Sequence, residues 1–271
     1  MAKQVTKDLK IRVSVDLRDF LLEKAAAYER PDFIPHDPIA IPHRFSDKAD
    51  IELSGFIAAT LAWGQRKTIL ASAGAFMDRL EGAPRDFMEH ATQEDIRAAA
   101  KGFVHRTFQP RDAEVFLNAL QVIVKTYGGL EYAFVPSDRE VHAEACLTVF
   151  HNRFFEAAAQ RGYEADRTRK HVATPVRGSA AKRLNMFLRW MVRPNRLGVD
   201  FGVWSQITPK QLMLPLDVHT GNVGRKLGLL TRKQNDWKAV ELLTTALRQV
   251  DEEDPVRLDF ALFGLGAIEH F

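Results

Sequence analysis

The 271-residue sequence contains a single cysteine, Cys146. One thiol excludes an intramolecular disulfide framework, and it excludes an iron–sulfur cluster held by four cysteines of this chain. The surrounding residues, EACLTVF, follow an apolar helical pattern, which predicts a buried and inert thiol. The sequence therefore predicts no iron–sulfur cluster and no other cofactor.

Long apolar segments are also absent from the sequence. No run approaches the roughly 20 apolar residues that span a bilayer. The N-terminus, MAKQVTKDLKIRVSVDLRDF, is too charged for the apolar core of a signal peptide. We therefore expect a cytoplasmic protein without a membrane partner. A hydrophobic content of 46% and a charged content of 27% are typical of globular proteins, and this length suffices for a large core.

Strand-like alternation is scarce, and IRVSV near the N-terminus is the best candidate for a strand. Helical spacing of apolar residues recurs along the rest of the chain. Asp50 and Asp112 are candidate N-caps of two helices, REVHAEACLTVFHNRFFEAAA predicts another, and a basic helix begins at Ser179. We predict one all-α globular unit over residues 1–271.

Prolines interrupt PDFIPHDPIAIPHRF, and we expect an extended N-terminal arm around residues 30–48. The arm contains His36, Asp37 and His43, which are residue types that bind metals. These ligands are few and are separated by prolines. We therefore interpret them as polar anchors of the arm and predict no metal site.

Positive charge is concentrated in one segment. The net charge is only +3, but residues 160–196 contain ten Lys or Arg against two acids, a local charge of +8. On the basic helix, Lys182, Arg189 and Arg193 share the face opposite the apolar one. A segregated basic stretch favours a polyanion-binding surface. The alternative is a solvated strip that binds nothing.

A lone acid, Asp217, lies in LPLDVHTGNVGRKLGLL. It precedes a predicted helix that Gly228 closes, so it has the position of an N-cap, and such caps contribute roughly 1 kcal/mol. A carboxylate fixed there is also a candidate catalytic acid that stabilises a cationic transition state. The residues alone leave both interpretations open.

The segment PLDVHTGNVGRKLGLL resembles the part of helix-hairpin-helix DNA glycosylases that contains their catalytic aspartate. In that superfamily an aspartate precedes a valine- or threonine-histidine pair and a helix with Arg and Leu-Gly. The corresponding residues here include Asp217, His219 and Arg225. Upstream, ELSGFIAATLAWGQRKTI resembles their early helix pair, with Gln65 as the glutamine of its turn. AAKRLNMFLRWMVR resembles the lysine-bearing helix of the archaeal 8-oxoguanine glycosylase type, with Lys182 as the lysine.

The sequence departs from that superfamily at its hairpin. The glycine-rich hairpin, of the form Leu-Pro-Gly-Val-Gly, is replaced by GVDFGVWSQITPKQ, which puts its backbone contact with phosphate in doubt. The cysteine-ligated cluster of some members is also missing. As a whole, the chain looks most like a bacterial branch near this superfamily that has no assigned substrate.

The resemblance implies a fold of two helical lobes with a cleft between them, and DNA as the partner. It implies a DNA repair N-glycosylase, with possible AP lyase activity, that flips out and excises a damaged purine. Asp217 would stabilise oxocarbenium charge, and Lys182 would be the Schiff-base nucleophile. Two alternatives stay open: a non-catalytic DNA-binding protein on the same scaffold, and an unrelated helical protein in which Asp217 is only a cap. A monomer is assumed.

Further residues are assigned to DNA on the same basis. The predicted nucleic-acid contacts are Arg66, Lys67, Arg183, Arg189, Arg193, His219 and Arg225. The predicted wedge and base-pocket residues are Trp63, Gln65, Trp190, Phe201 and Trp204. Taken singly, each of the latter is also a candidate packing residue of the core.

Overall fold

The computed structural model describes residues 11–137 and 141–271. These residues form α-helices and short 3-10 helices and contain no β-strand, so the prediction of an all-α fold is confirmed. The predicted strand IRVSV is wrong. Residues 11–14 are irregular, and the Ser14 side chain caps a helix that begins at Val15. Residues 1–10, which the predicted unit includes, lie outside the described residues.

The helices of the described residues are numbered in chain order. They are α1 (Val15–Tyr28), α2 (Lys48–Leu61), α3 (Arg66–Arg79), α4 (Pro84–His90), α5 (Gln93–Ala100), α6 (Pro110–Tyr127), α7 (Leu130–Phe134), α8 (Ala143–Gln160), α9 (Lys182–Val192), α10 (Val218–Lys226), α11 (Trp237–Leu247) and α12 (Asp259–Ala267). Of these helices, none combines the length and the apolar character that crossing a membrane requires.

The first residues of α2 and α6 lie within a few residues of the acidic N-caps that the sequence predicted. α2 is capped by Asp47, whose carboxylate accepts the Ala49 N–H at 2.9 Å, and Asp50 lies inside the first turn. α6 begins after Gln109, and Asp112 accepts the Gln109 N–H from the third helical position at 2.9 Å. Both arrangements place a carboxylate at the positive end of a helix, where the unpaired N–H groups need acceptors.

Two predicted helices begin later than the sequence suggested. α8 begins at Ala143, and Arg139 and Glu140, at the start of the predicted helix, lie outside the described residues. α9 begins at Lys182 rather than at Ser179. Before it, Ala181 has φ 45° and ψ 37°, the left-handed conformation that side chains other than glycine rarely adopt.

The segment expected to be an extended arm is compact. It consists of three successive 3-10 helices, Pro31–His36, Pro38–Ala40 and Pro42–Arg44. Each begins with a proline, because the fixed φ of proline suits the first helical position and its missing N–H needs no partner there. Ile39 and Ile41 are fully buried, so the segment is part of the core and not a loose strap.

α2 runs through the middle of the core. Every residue from Ile51 to Leu61 is buried. Its Phe56 packs edge-on against Phe150 at 5.2 Å and Phe187 at 5.6 Å, which joins α2 to α8 and α9. The close approach of α9 needs a small residue, because a Cβ at Gly55 would lie 3.1 Å from the Met191 side chain. Aromatic packing of this kind stabilises a core beyond the area it buries.

The two ends of the described chain pack together. α1 lies along α12, and α12 also packs against α10. Gly264 lets α1 approach α12, because a Cβ at this position would overlap the ring of Tyr28. The N-terminal helix thus supports α12, and α12 in turn supports the start of α10, where Asp217 lies.

Candidate functional site

Three helices begin at one open pocket of about 630 Å³. The first residue of each, Arg66 of α3, Lys182 of α9 and Val218 of α10, lines the pocket. The predicted site residues among the pocket's lining are Trp63, Arg66, Lys182, Arg183, Asp217 and His219. Helix N-termini carry partial positive charge and free N–H groups, so the pocket favours a ligand with negative charge.

Asp217 both caps α10 and lines the pocket. Its Oδ1 accepts the Thr220 N–H at 3.0 Å, and the Thr220 hydroxyl in turn accepts the Asp217 N–H at 2.8 Å. Asn235 donates to the Asp217 carbonyl at 3.0 Å. Within the described part of the chain, Oδ2 accepts no hydrogen bond and no cation lies within 4.0 Å. The cap therefore fixes the carboxylate while leaving one oxygen for a ligand.

Lys182 is half-buried, and its Nζ lies 3.3 Å from the Met186 sulfur. Among the described residues no carboxylate lies within 4.0 Å of that amine. The strained Ala181 immediately before it is buried, and a left-handed residue of this type costs about 1 kcal/mol or more. Such strain persists only where the surroundings impose it, and here it sets the direction in which α9 presents its first residue.

Asp37 is a pocket residue that sequence reasoning assigned to the arm. Its carboxylate accepts the Ile39 N–H at 3.0 Å and begins the second 3-10 helix. Burial raises its pKa, and the charges of Arg189, Lys182 and Arg66 oppose the rise. The Asp-Pro pair is a local signal of the cap that the sequence analysis did not use, and only the tertiary structure brings this acid to the pocket that holds Lys182.

Asp259 is a third acid, which lies behind the pocket lining. It is buried, and Arg189 Nη1 lies 2.6 Å from its Oδ2. Burial raises the pKa of Asp259 to about 6, Asp217 contributes to the rise, and Arg189 and Lys182 oppose it. Because Asp259 is paired with Arg189, the group that attracts a positive centre here is the free oxygen of Asp217, beside the helix N-termini that attract an anion.

Aromatic and cationic side chains form the walls. The Arg183 guanidinium lies over the Trp63 ring at 4.8 Å, and the Arg66 guanidinium lies over the Phe263 ring at 5.2 Å. Phe263, from α12, was not among the predicted site residues, because its pattern in DFALFGLGA is that of an ordinary core helix. Each wall thus combines a flat apolar face with a positive charge.

Arg189 and Arg193 correct the prediction of a solvent-facing basic stripe. Both side chains are buried, each with 3% exposure. Arg189 pairs with Asp200 and Asp259, and Arg193 contacts Glu29, Asp200 and Asp254. Glu29 at the end of α1, Asp259 of α12 and Asp200 in the loop after α9 lie against this part of α9. The two guanidinium groups neutralise internal carboxylates and are not available to DNA.

Two tryptophans of the predicted base pocket belong to the core. Trp190 is fully buried, and Trp204 is 4% exposed with its Nε1 donating to Glu52 Oε1 at 2.7 Å. Phe201 is half-buried and packs against His43 at 4.4 Å, away from the pocket lining. The assignment of these residues to a base pocket is wrong, because the described structure packs them against the helices and not around the pocket.

The other predicted DNA contacts occupy different positions. Gln65 and Lys67 are exposed at the start of α3, next to the pocket but outside its lining. Arg225 donates to the Arg232 and Lys233 carbonyls, each at 2.8 Å, and so holds the loop between α10 and α11. The His36, Asp37 and His43 set forms no group of metal ligands, and the described residues hold no such group elsewhere.

The fold and the pocket define an all-α protein whose pocket combines carboxylates, cations and aromatic walls. The sequence matches the family described as "Protein of unknown function (DUF2400)" over residues 37–268. This span covers most of the chain and all the pocket residues, so the chain belongs to that family. No curated protein matches the sequence, and no solved structure matches it.

Proposed function

We propose that the chain is a DNA N-glycosylase with AP lyase activity that acts on a damaged purine. The observation that carries the proposal is the meeting of Asp217 and Lys182 at one aromatic-walled pocket, although α9 and α10 are separated by a long segment. The reaction needs a fixed carboxylate and an amine near one sugar carbon. The helices around the pocket would form the two lobes, and the pocket would be the cleft between them.

The pocket has the size and the walls that a flipped base requires. A volume of about 630 Å³ lies inside the usual range of small-ligand sites, roughly 300–1,000 Å³. A base extruded from the stack is held by flat side chains and by hydrogen bonds to its edge. Trp63 and Phe263 supply the flat side chains, and the Arg66 guanidinium supplies hydrogen-bond donors.

The bond to the base breaks with positive charge building on the sugar. The Asp217 carboxylate stabilises that charge, and its cap geometry holds it in place before the substrate arrives. The free amine of Lys182 then forms a bond to C1′ as the C1′–N bond breaks, and the departing base takes up a proton. Ring opening gives a Schiff base, from which elimination breaks the strand.

Asp37 is the group we assign to the proton that Lys182 must lose. The two residues line the same pocket, and burial raises the Asp37 pKa, which makes its carboxylate a better base than an exposed one. Asp37 accepts the proton from the ammonium before attack and returns it to the departing base, and because the two groups lie more than 4.0 Å apart, the proton passes through a water in the pocket.

Borohydride trapping tests the nucleophile. The protein is incubated with duplexes that carry an abasic site or a panel of damaged purines, and the covalent complex is resolved by electrophoresis. Lys182→Gln should abolish the complex. Lys238→Gln, which changes an exposed lysine in the first turn of α11, should leave it unchanged. Trapping that survives in Lys182→Gln would refute the assignment.

Asp217→Asn separates catalysis from capping. Asn caps helices about as well as Asp, so the free energy of unfolding should change by less than about 0.5 kcal/mol. Base excision should fall roughly 100-fold or more, the usual effect of losing one preorganised electrostatic group. Asp236→Asn, at the N-cap of α11, is the matched control and should excise at the parental rate.

The same experiments address the alternative of a non-catalytic DNA-binding protein. The cap made by Asp217 is complete without any reaction, which is the observation that favours this alternative. It becomes the better conclusion if the parent binds DNA but traps no complex across the panel. An Asp217→Asn variant that excises at the parental rate would reduce Asp217 to a cap.

A further inference from the structure

A second pocket, of about 510 Å³, shares no lining residue with the first and has no part in the chemistry above. It is formed by the loop between α8 and α9 together with the inner side of α8. Four basic residues line it: Arg167, Arg169, Lys170 and Arg177. One acid, Asp166, lines it as well. Within the basic segment 160–196, Arg189 and Arg193 are buried, whereas most of the basic residues that line this pocket are exposed.

Only part of this charge is neutralised. Arg169 Nε lies 3.4 Å from Asp166 Oδ1, and Arg167 Nε lies 3.6 Å from the buried Asp112. Lys170 and Arg177 are exposed, and neither has a carboxylate within 4.0 Å in the described parts of the chain. Two cations therefore face the pocket without a partner, which favours an anion as the missing counter-charge.

His151 lines the same pocket and is affected by the positive charge of its arginines. Its Nδ1 lies 2.7 Å from the Val172 carbonyl and donates to it, which leaves Nε2 without a proton in the neutral ring. Burial lowers the pKa of His151, and Arg169 and Arg177 lower it further. Arg169 and Arg177 line the pocket together with His151 of α8.

Thr174 adds a polar group to the pocket lining. It is 5% exposed, and its hydroxyl has no hydrogen-bond partner among the described residues. A buried hydroxyl without a partner costs free energy, roughly 1–3 kcal/mol. An oxygen-rich anion held by the surrounding cations would supply the missing acceptor.

The two pockets are linked through α9 and the loop before it. Arg183 lines the first pocket, and its Nη2 donates to the carbonyl of Lys170 in the second at 3.3 Å. Ser179 of the second pocket is three residues from Lys182 of the first. Three residues span at most roughly 10 Å, so the two linings approach each other within the length of about three stacked nucleotides, at about 3.4 Å each.

We propose that the second pocket binds backbone phosphates of the nucleic-acid strand whose target nucleotide occupies the first pocket. Lys170 and Arg177 neutralise the phosphates, while Arg167 and Arg169 are held in place by their acidic partners and shape the pocket. The proposal rests on the proposed function for the identity of the strand. The binding experiment that tests it does not depend on any reaction.

The test measures binding of a fluorescein-labelled single-stranded oligonucleotide with undamaged bases, by anisotropy at several salt concentrations. The double variant Lys170→Gln/Arg177→Gln should bind more weakly at low salt. Its slope of log affinity against log salt should be smaller in magnitude by roughly 1.4, because each phosphate contact on a single strand contributes about 0.7. Lys101→Gln/Lys125→Gln removes the same charge from exposed positions outside both pockets and is the matched control.

Each outcome decides the proposal. If the slope of log affinity against log salt is unchanged in the double variant, the proposal is wrong. If the control variant loses as much slope as the double variant, the effect is one of general surface charge and the proposal is also wrong. A parent that binds pyrophosphate by calorimetry but no oligonucleotide also overturns it, in favour of a free-anion site. Trapping distinguishes the two proposals. If the parent traps nothing while the slope difference remains, the phosphate pocket stands and the glycosylase assignment fails.

Discussion

Arg193→Met should destabilise the protein severely, although the sequence places this arginine in a strongly basic segment. The Arg193 side chain is 3% exposed and contacts Glu29, Asp200 and Asp254. Methionine keeps much of the packing volume and removes the charge. Glu29 and Asp200 would then be left buried with fewer partners, and the surrounding protein provides little solvation for them.

The magnitude follows from the burial of the partners. Breaking a buried ion pair by removing one member costs roughly 3–5 kcal/mol. The free energy of unfolding of a domain is itself only about 5–15 kcal/mol, so the variant should lose a large share of it. For a domain of this size the melting temperature should fall by roughly 10 °C.

Urea unfolding followed by circular dichroism measures the effect, and Arg196→Met is the control. Arg196 is exposed three residues later, and its replacement should change the free energy of unfolding by less than about 0.5 kcal/mol. An Arg193→Met protein as stable as the parent, with weaker DNA binding, would refute the buried network and restore the solvent-facing stripe.

Two further predictions concern other parts of the core. Burial is the main cause that lowers the pKa of His171 in the folded protein. As the pH falls below about 6.5, the unfolded state therefore binds a proton at this histidine more readily than the folded state, and the free energy of unfolding should decrease. His171→Gln should flatten this dependence in urea titrations at pH 7.5 and pH 5, whereas the exposed His90→Gln should not. Gly264→Ala should lower the free energy of unfolding by about 1–3 kcal/mol, because the added methyl group forces α1 away from α12. Gly55→Ala should lower it less, because its methyl group meets only the flexible end of Met191. A Gly264→Ala variant as stable as the parent would contradict the packing argument.

Local signals in the sequence were sufficient to predict most of the helices. Apolar spacing and acidic caps act within one or two turns, so α9 begins three residues after its predicted start and α10 begins directly after Asp217. The cap at Asp217 was confirmed in the same way, since Oδ1 reaches the N–H of Thr220. The errors at α2 and α9 are shifts of the first turn, where several polar residues compete for the cap.

The sequence did not show which polar residues face solvent. Arg189 and Arg193 have the spacing of a wet helix face, yet Asp200, Asp254 and Asp259 approach them from later segments. Helical periodicity describes one helix at a time, and it contains no information about what packs on the second side. For the same reason the four tryptophans looked alike in sequence, and only Trp63 lines the first pocket.

By itself, the sequence determined that the chain is all-α, that it has a single thiol, that Asp217 caps a helix and that residues 160–196 are basic. These properties depend on composition and on contacts within a turn or two of helix, which the chain encodes locally. The tertiary structure alone decided that Asp37, Lys182 and Asp217 share one pocket, and that Arg189 and Arg193 do not face solvent. Those outcomes depend on helices packing across long stretches of sequence, because burial and charge pairing are set by whichever segment arrives from elsewhere in the chain.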